Sequence, residues 1–433
     1  MSARDTALQV LISCRRNGAW SDAALKQQLS RDQLDRRDAA LASRLVYGVL
    51  QNRMLLDHWI GLFVQRPQAL QPMVLDILRL AVYQLRFFDR IPSSAAVNEA
   101  VEQAKRLANV KASGLVNAVL RNMLRHPERM SEPEDLPTRY SHPQALVELL
   151  RENVPASELE PLLAADNEAP AAYLQTNTLK TDSGTLLEIL KKEGYAVEAH
   201  PWLPDCLTVR GGSPEQCEAF RDGLFYVQDP AANLSVRAAQ LQPGMRVHDC
   251  CAAPGGKSFA AAIAMGGVGS VLSCDIHPNK VELIRRGSER LGLSCISAEC
   301  KDASDPEPAF LTERFDAVLA DVPCSGLGVI RKKPDIRYKD LGALAELPRI
   351  QKKILDNQAG YVRPGGVLLF STCTILRREN EDLVMAFLSD HPDYTAEAFT
   401  LPGGLSAPEG MLTLLPCEHN TDGFFIAKLR RMT

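Results

Sequence analysis

The chain has 433 residues, room for two to four domains with sizeable cores, and its 45% hydrophobic and 24% charged composition is that of an ordinary globular protein. It contains no long uncharged apolar run and no signal-peptide core near its start, so no membrane association and a cytoplasmic location are expected. The net charge of −4 speaks by itself against a polyanionic partner, and the 11 cysteines show neither a C-x-x-C pair nor zinc-ligand spacing, so no metal is expected.

Charge is unevenly spread. Residues 1–130 carry 19 Lys and Arg against 11 Asp and Glu, residues 131–240 carry 8 against 18, and residues 241–433 carry 22 against 24. A basic first third on an acidic chain fits a polyanion-binding module as well as it fits a solvated helical face. That first third reads as helix throughout. Apolar residues recur at helical spacing in the segment Met1 to Arg16, in Leu41-Leu45-Val46-Val49-Leu50 and in Val74-Leu75-Ile77-Leu78-Ala81-Val82. Asp38 is placed to cap the second of these, and Pro92-Ser93-Ser94 precedes a further helix, Ala95 to Leu107. Residues 1–128 are therefore expected to form one all-α domain.

The polar, proline-bearing stretch from His126 to Pro137 reads as a linker. Residues 140–230 mix helical pieces with short strand candidates, among them Ala172–Thr176 and Cys206–Val209, and are expected to make a small α+β unit. Residues 231–433 alternate clearly. Strands are expected at Arg246–Asp249, Ser270–Asp275, Cys295–Glu299, Asp316–Asp321, Gly366–Phe370 and Gly423–Leu429, with helices between most of them. Such alternation predicts a doubly wound, mostly parallel sheet covered on both faces, with ligands held beyond the carboxyl ends of its strands.

The chemistry-bearing residues sit at those ends. Cys251-Ala252-Ala253-Pro254-Gly255-Gly256-Lys257 is a glycine turn between a strand and a helix. It is not a P-loop, because Cys251 stands where that pattern needs glycine. A helix N-terminus after a tight turn can cradle a carboxylate as well as a phosphate. The next strand ends in Asp275, placed to accept from ribose hydroxyls, and the one after runs into Asp302, placed to meet an adenine amino group. A nucleoside with a carboxylate-bearing tail fits these parts, which points to S-adenosylmethionine. Two further strands end in Asp321-Val322-Pro323-Cys324-Ser325 and Ser371-Thr372-Cys373-Thr374. Thiols at the mouth of a cofactor-binding sheet point to a covalent substrate adduct that must be both made and broken. Most of the other cysteines read as small buried hydrophobes in a reducing compartment.

Together the three segments resemble the signatures of the RNA cytosine-5 methyltransferases, in the bacterial branch acting on 16S rRNA, and the likeness extends over nearly the whole chain. The helical first third resembles the NusB RNA-binding fold, chiefly in Val97-Asn98-Glu99-Ala100-Val101 and Val116-Asn117-Ala118-Val119-Leu120-Arg121. The resemblance implies a Rossmann-like catalytic domain that takes S-adenosylmethionine at Cys251, Ala252, Ala253, Pro254, Gly255, Gly256, Lys257, Asp275, Asp302 and Asp321. It implies Cys373 as the nucleophile toward carbon 6 of cytosine and Cys324 as the residue that assists release. The residues alone leave these two roles open, because a Pro-Cys thiol can equally be the nucleophile. Asp321 is placed to hold the ring edge, and Lys257 to position the base or lower a thiol pKa.

The basic loop Arg331 to Lys339 is expected to meet RNA phosphates without reading bases, and the target base must leave its stack. Gln175 departs from the family's arginine before Val-Asn-Thr, which together with the acidic balance of the middle unit weighs against RNA contact there. A monomer is expected. Two rival readings are a P-loop nucleotide hydrolase and a noncatalytic RNA-binding factor; a third is a cytosine-5 methyltransferase acting on another RNA.

Overall fold

The apolar repeat of the first third winds into helices Ala3–Asn17, Ser21–Asp32, Arg36–Gln51, Arg53–Gly61, Pro72–Phe87, Ser93–Leu107 and Val110–Arg125 in a computed structural model that describes residues 2–306 and 314–432. Leu8, Leu45, Ile60, Ile77, Leu78 and Val116 are completely buried among them, and each such side chain contributes about 1.5–3 kcal/mol of burial. Helices Arg36–Gln51 and Pro72–Phe87 meet so closely at Gly48 that a Cβ there would lie 1.9 Å from the Tyr83 ring. Side-chain oxygens of Ser2, Asp35 and Asn109 cap their helices by accepting from amides three residues on. Asp38 is not the cap expected for its helix. That helix starts earlier, at Arg36, and the Asp38 amide donates to Asp35 Oδ1 at 2.8 Å.

Contacts divide the chain into two units, Met1–Glu168 with Ile330–Lys339, and Ala169–Val329 with Asp340–Thr433. The short segment Ile330–Lys339 departs in part from the expected phosphate-facing loop: Lys333 is exposed, but both arginines are buried. Arg337 is 1% exposed and Arg331 3%, so neither guanidinium is offered to phosphates. Arg337 donates instead to the carbonyls of Gln51 (2.7 Å), Tyr140 (3.2 Å) and Asp166 (2.7 Å). Asp335 accepts from the backbone and hydroxyl of Ser21, and Tyr338 donates to the Leu50 carbonyl at 3.0 Å. Proline and apolar neighbours explain the segment's burial: Pro334 and Ile336 lie inside as well. Arg337→Ala strips several buried carbonyls of their donor, a loss of about 3–5 kcal/mol. Its thermal unfolding midpoint, followed by circular dichroism, is expected to fall by about 10 °C; an unchanged midpoint would contradict this account.

In the second unit, β1 (Ala172–Thr176), β2 (Val197–Ala199), β3 (Cys206–Val209) and β4 (Phe225–Val227) form an antiparallel sheet in the order β2-β3-β1-β4. The larger sheet contains β5 (Arg246–Asp249), β6 (Ser270–Asp275), β7 (Ile296–Cys300), β8 (Phe315–Asp321) and β9 (Val362–Thr372). After these come β10 (Tyr394–Ala396), the small pair β11 (Phe399–Leu401) and β12 (Leu405–Ala407), then β13 (Met411–Leu414) and β14 (Phe424–Arg431). Its order is β10-β14-β9-β8-β5-β6-β7, with β13 beside β14; β5 to β9 run parallel and β14 antiparallel to β9. Both faces are covered. Ala317 and Leu319 of β8 join the core holding Phe259 and Ile284, while Val318 and Ala320 join the core holding Ile354 and Phe387. This two-sided burial is why the strands read as apolar runs rather than alternating ones.

Strand β9 is longer than expected. It begins at Val362 rather than at the expected Gly366, and Pro364-Gly365-Gly366 forms an irregularity within it, since pairing with β8 passes from Phe315↔Val362 to Ala317↔Val367. No helix among the described residues is long and apolar enough to cross a membrane.

Candidate active site

The glycine turn is built by its neighbours. The Ala252 amide donates to the Cys274 carbonyl (2.8 Å), tying the turn to β6, and the Gly255 amide donates to the Ala252 carbonyl (2.7 Å). Gly255 has φ +113°, and a Cβ there would stand 2.4 Å from the Phe259 ring. Helix Gly256–Ala264 then begins. The amides of Gly256, Lys257 and Ser258 precede any intrahelical acceptor and carry the positive end of the helix dipole.

Beneath the turn lies a residue the sequence reading missed. Asp249, last in β5, is fully buried; its Oδ2 accepts from Ser258 Oγ at 2.7 Å, and Ser258 Oγ lies 2.7 Å from Ser273 Oγ. Burial pushes the Asp249 carboxyl up to about 7. This chain pins the first helical turn to β5 and β6. Only its place at a strand end hinted at it.

Asp275 and Asp302 stand near the next two strand ends. Asp275 is buried, and its Oδ1 accepts from the His277 amide at 2.9 Å. Asp302 follows β7, and its Oδ1 accepts from the Ser304 amide at 2.8 Å, a bond that holds its carboxyl below the usual range. Turn amides and two carboxylates in succession suit a ligand that has a carboxylate at one end and hydroxyl and amino donors at the other.

The two strand-end thiols converge. Cys324 Sγ and Cys373 Sγ lie 3.1 Å apart. They follow Asp321 and Ser371, which are register partners on the adjacent parallel strands β8 and β9. The two thiols are coupled through their mutual hydrogen bond. Cys373 is held below the ordinary thiol range by the Cys324 hydrogen bond and by Lys257, against burial and the charges of Asp321 and Asp422. Cys324 is driven well above it by the Cys373 hydrogen bond, by burial and by Glu379 and Asp321. Cys373 is thus the sulfur that ionises first.

A cation and an anion stand beside them. Lys257 Nζ is 2.8 Å from Asp321 Oδ2 and lies 5.0 Å from the centre of the Phe424 ring. Asp321 Oδ1 accepts from Ser371 Oγ at 2.9 Å. The structure therefore brings Cys324, Cys373, Asp321 and Lys257 into linked contacts, with Lys257 also belonging to the glycine turn. Cys251 is placed differently: its sulfur lies 3.9 Å from Cys250 Sγ.

Supporting residues lock the cysteine loops. Buried Glu379 accepts from the Ser325 amide (2.9 Å) and from Gln351 Nε2 (2.8 Å), and Gln351 also donates to the Pro323 carbonyl (2.9 Å). Ser325 Oγ donates to Thr374 Oγ1 at 2.7 Å, joining the two loops directly. A third strand contributes the turn Thr421-Asp422-Gly423-Phe424, also missed from sequence. The Gly328 amide donates to the Cys373 carbonyl (3.0 Å) and the Gly423 amide to the Gly328 carbonyl (2.8 Å). A Cβ on Gly328 would sit 1.9 Å from the Gly423 oxygen, so the two backbones touch. The Asp422-Gly423 pair before an apolar strand was the available signal.

The NusB family profile matches residues 1–125, a ferredoxin-like domain of RsmF/B-like methyltransferases matches residues 142–214, and the profile described as 16S rRNA methyltransferase RsmB/F matches residues 236–430. A probable ribosomal RNA small subunit methyltransferase B of Bacillus subtilis is 37% identical over 99% of both chains. Among solved structures, PH0851 covers 98% of both chains with a TM-score of 0.80 at 24% identity. NSun6 from Pyrococcus horikoshii, solved with SFG, covers 67% of this chain and 98% of its own with a TM-score of 0.60 at 22% identity.

Proposed function

We propose, from the premise that this chain belongs to the ribosomal RNA small subunit methyltransferase B family and is an RNA methyltransferase dependent on S-adenosylmethionine, that it methylates carbon 5 of a cytosine in 16S rRNA through a covalent adduct on Cys373. The observation that carries this reading is the 3.1 Å sulfur pair beside the Lys257–Asp321 ion pair. Carbon 5 of cytosine is too weak a nucleophile to take a methyl group unaided. A thiolate added at carbon 6 makes it enamine-like.

The residues around the glycine turn fit the methyl donor. SFG, the ligand of the Pyrococcus protein, is an analogue of S-adenosylmethionine. The amides of Gly256, Lys257 and Ser258 suit its carboxylate, Asp275 its ribose and Asp302 its adenine. When bound, the donor supplies an electrophilic methyl group.

The chain's own residues do the rest. Cys373, ionised at lower pH than its neighbour, attacks carbon 6. Asp321, fixed by Lys257 and Ser371, holds the ring edge by accepting from the ring's amino group, and the Lys257 ammonium offsets the negative charge developing at the ring nitrogen. Once Cys373 is a thioether it no longer carries charge, and the repulsion that kept the proton on Cys324 is gone. Cys324 then loses its own proton to solvent and, as thiolate, takes the proton from carbon 5. Reformation of the ring double bond expels Cys373 as thiolate.

Bisulfite mapping of RNA from cells with and without this chain tests the reading. The expected result is loss of 5-methylcytosine at one position of 16S rRNA in cells lacking it. Loss confined to another RNA would overturn the assigned substrate, and methylation at another atom of the base would overturn the carbon-5 chemistry.

A further inference from the structure

The same two sulfurs have a chemistry that methyl transfer does not use. They are closer than van der Waals contact and are not bonded to each other. Closing a disulfide requires about 2.05 Å between sulfurs, an approach of about 1 Å that side-chain rotation can supply. Their backbones favour it, since the residues follow paired positions on neighbouring parallel strands and the Ser325–Thr374 hydroxyl bond holds the loops together. Both residues are partly exposed, so a small oxidant can approach the pair. A thiolate with a neighbouring thiol is the arrangement of a sensor cysteine and its resolving partner.

We propose that Cys324 and Cys373 form an oxidation site for hydroperoxides, at which a reversible intramolecular disulfide replaces the dithiol. The Cys373 thiolate attacks the terminal peroxide oxygen, and the O–O bond breaks. This gives Cys373 sulfenic acid and an alkoxide, which takes a proton to leave as alcohol. Cys324 sulfur then attacks the sulfenyl sulfur. An S–S bond forms, the S–O bond breaks, and the departing hydroxide takes the Cys324 proton to leave as water. Two thiols are oxidised by two electrons, and one hydroperoxide is reduced to alcohol and water. An external dithiol reverses the reaction by exchange.

The other cysteines serve as internal references. Cys250 and Cys251 are adjacent in sequence with sulfurs 3.9 Å apart, and Cys250 is buried with its thiol pushed well above the ordinary range, first by the Cys251 hydrogen bond and then by burial. That pair is expected to resist the same oxidant. Cys300 is exposed and stands outside the site.

That oxidation silences methylation rests on the reading of Cys373 as the nucleophile; formation of the disulfide does not. The test treats the reduced full-length protein with stoichiometric hydrogen peroxide, alkylates the remaining thiols and maps the peptides by mass spectrometry. The expected product joins the peptides of Cys324 and Cys373. In Cys324→Ser, Cys373 is expected as sulfenic acid, trapped by dimedone, and Cys300→Ser is expected to leave the crosslink intact. Methyl transfer should fall at least about tenfold in proportion to the crosslink and return with dithiothreitol. Free alkylation of both residues after peroxide, or pairing of Cys373 with any other cysteine, would overturn the proposal. A crosslink that forms while methyl transfer continues supports the oxidation site and overturns the role given to Cys373.

Discussion

Cys373→Ala is expected to abolish 5-methylcytosine formation, lowering single-turnover methyl transfer on the order of 10⁴-fold or more. Without a sulfur at this position nothing saturates the ring, and carbon 5 keeps its low nucleophilicity. Cys324, only 3.1 Å away, is no substitute, because its place in the reaction is to take the carbon-5 proton rather than to add at carbon 6. The variant should also form no covalent complex with RNA carrying 5-fluorocytidine, seen as a missing slow band on denaturing gels. Donor binding, measured by equilibrium dialysis, should persist, because the cradle of Gly255, Gly256 and Asp275 is untouched. Measurable 5-methylcytosine from this variant would show that the nucleophile lies elsewhere.

Cys324→Ala should behave in the opposite sense. Cys373 still adds to the base, but the C5 proton has lost its acceptor, so the RNA adduct accumulates while multiple turnover falls about 10²–10⁴-fold. A second effect follows from the hydrogen bond between the two sulfurs. The Cys324 hydrogen bond is the leading influence that lowers Cys373. Removing it raises the Cys373 pKa, leaving less thiolate at a given pH, so the pH profile for adduct formation should move to higher pH. Gel quantification of adduct against time and pH reads both effects. A variant that turns over normally, with no trapped RNA, would remove Cys324 from the reaction.

Much of this site was legible because its chemistry sits where strands end. Asp249, Asp275 and Asp321 each close a strand at the residue expected from apolar patterning, since strands buried on both faces leave long apolar runs that stop abruptly at polar residues. The thiol pair was legible as two separate strand ends. Its 3.1 Å separation depends on β8 and β9 being neighbours, and no local pattern reports strand order. Glu379 and the Thr421–Phe424 turn were missed for the same reason, because their partners lie 54 and 95 residues away at Ser325 and Gly328. Residues 331–339 misled in another way. Composition marks the stretch as a basic surface loop, yet Arg337 finds backbone carbonyls inside the fold, so its charge is satisfied without solvent. Composition records that a cation is present and says nothing about which acceptors it meets.

The excursion of Ile330–Lys339 into the first unit bears on how this protein can be dissected. No single cut in the chain separates the helical part from the catalytic part. A clone beginning at Ala169 would carry ten residues, with Ile336 and Arg337 among them, whose burial depends on partners encoded upstream. Stripped of those partners, the segment would hang from Val329, one residue past the glycine that secures the Cys373 loop. Fragment studies therefore call for co-expression of both pieces or for a designed replacement of the excursion, and an inert C-terminal fragment would not by itself be evidence that the helical part touches RNA.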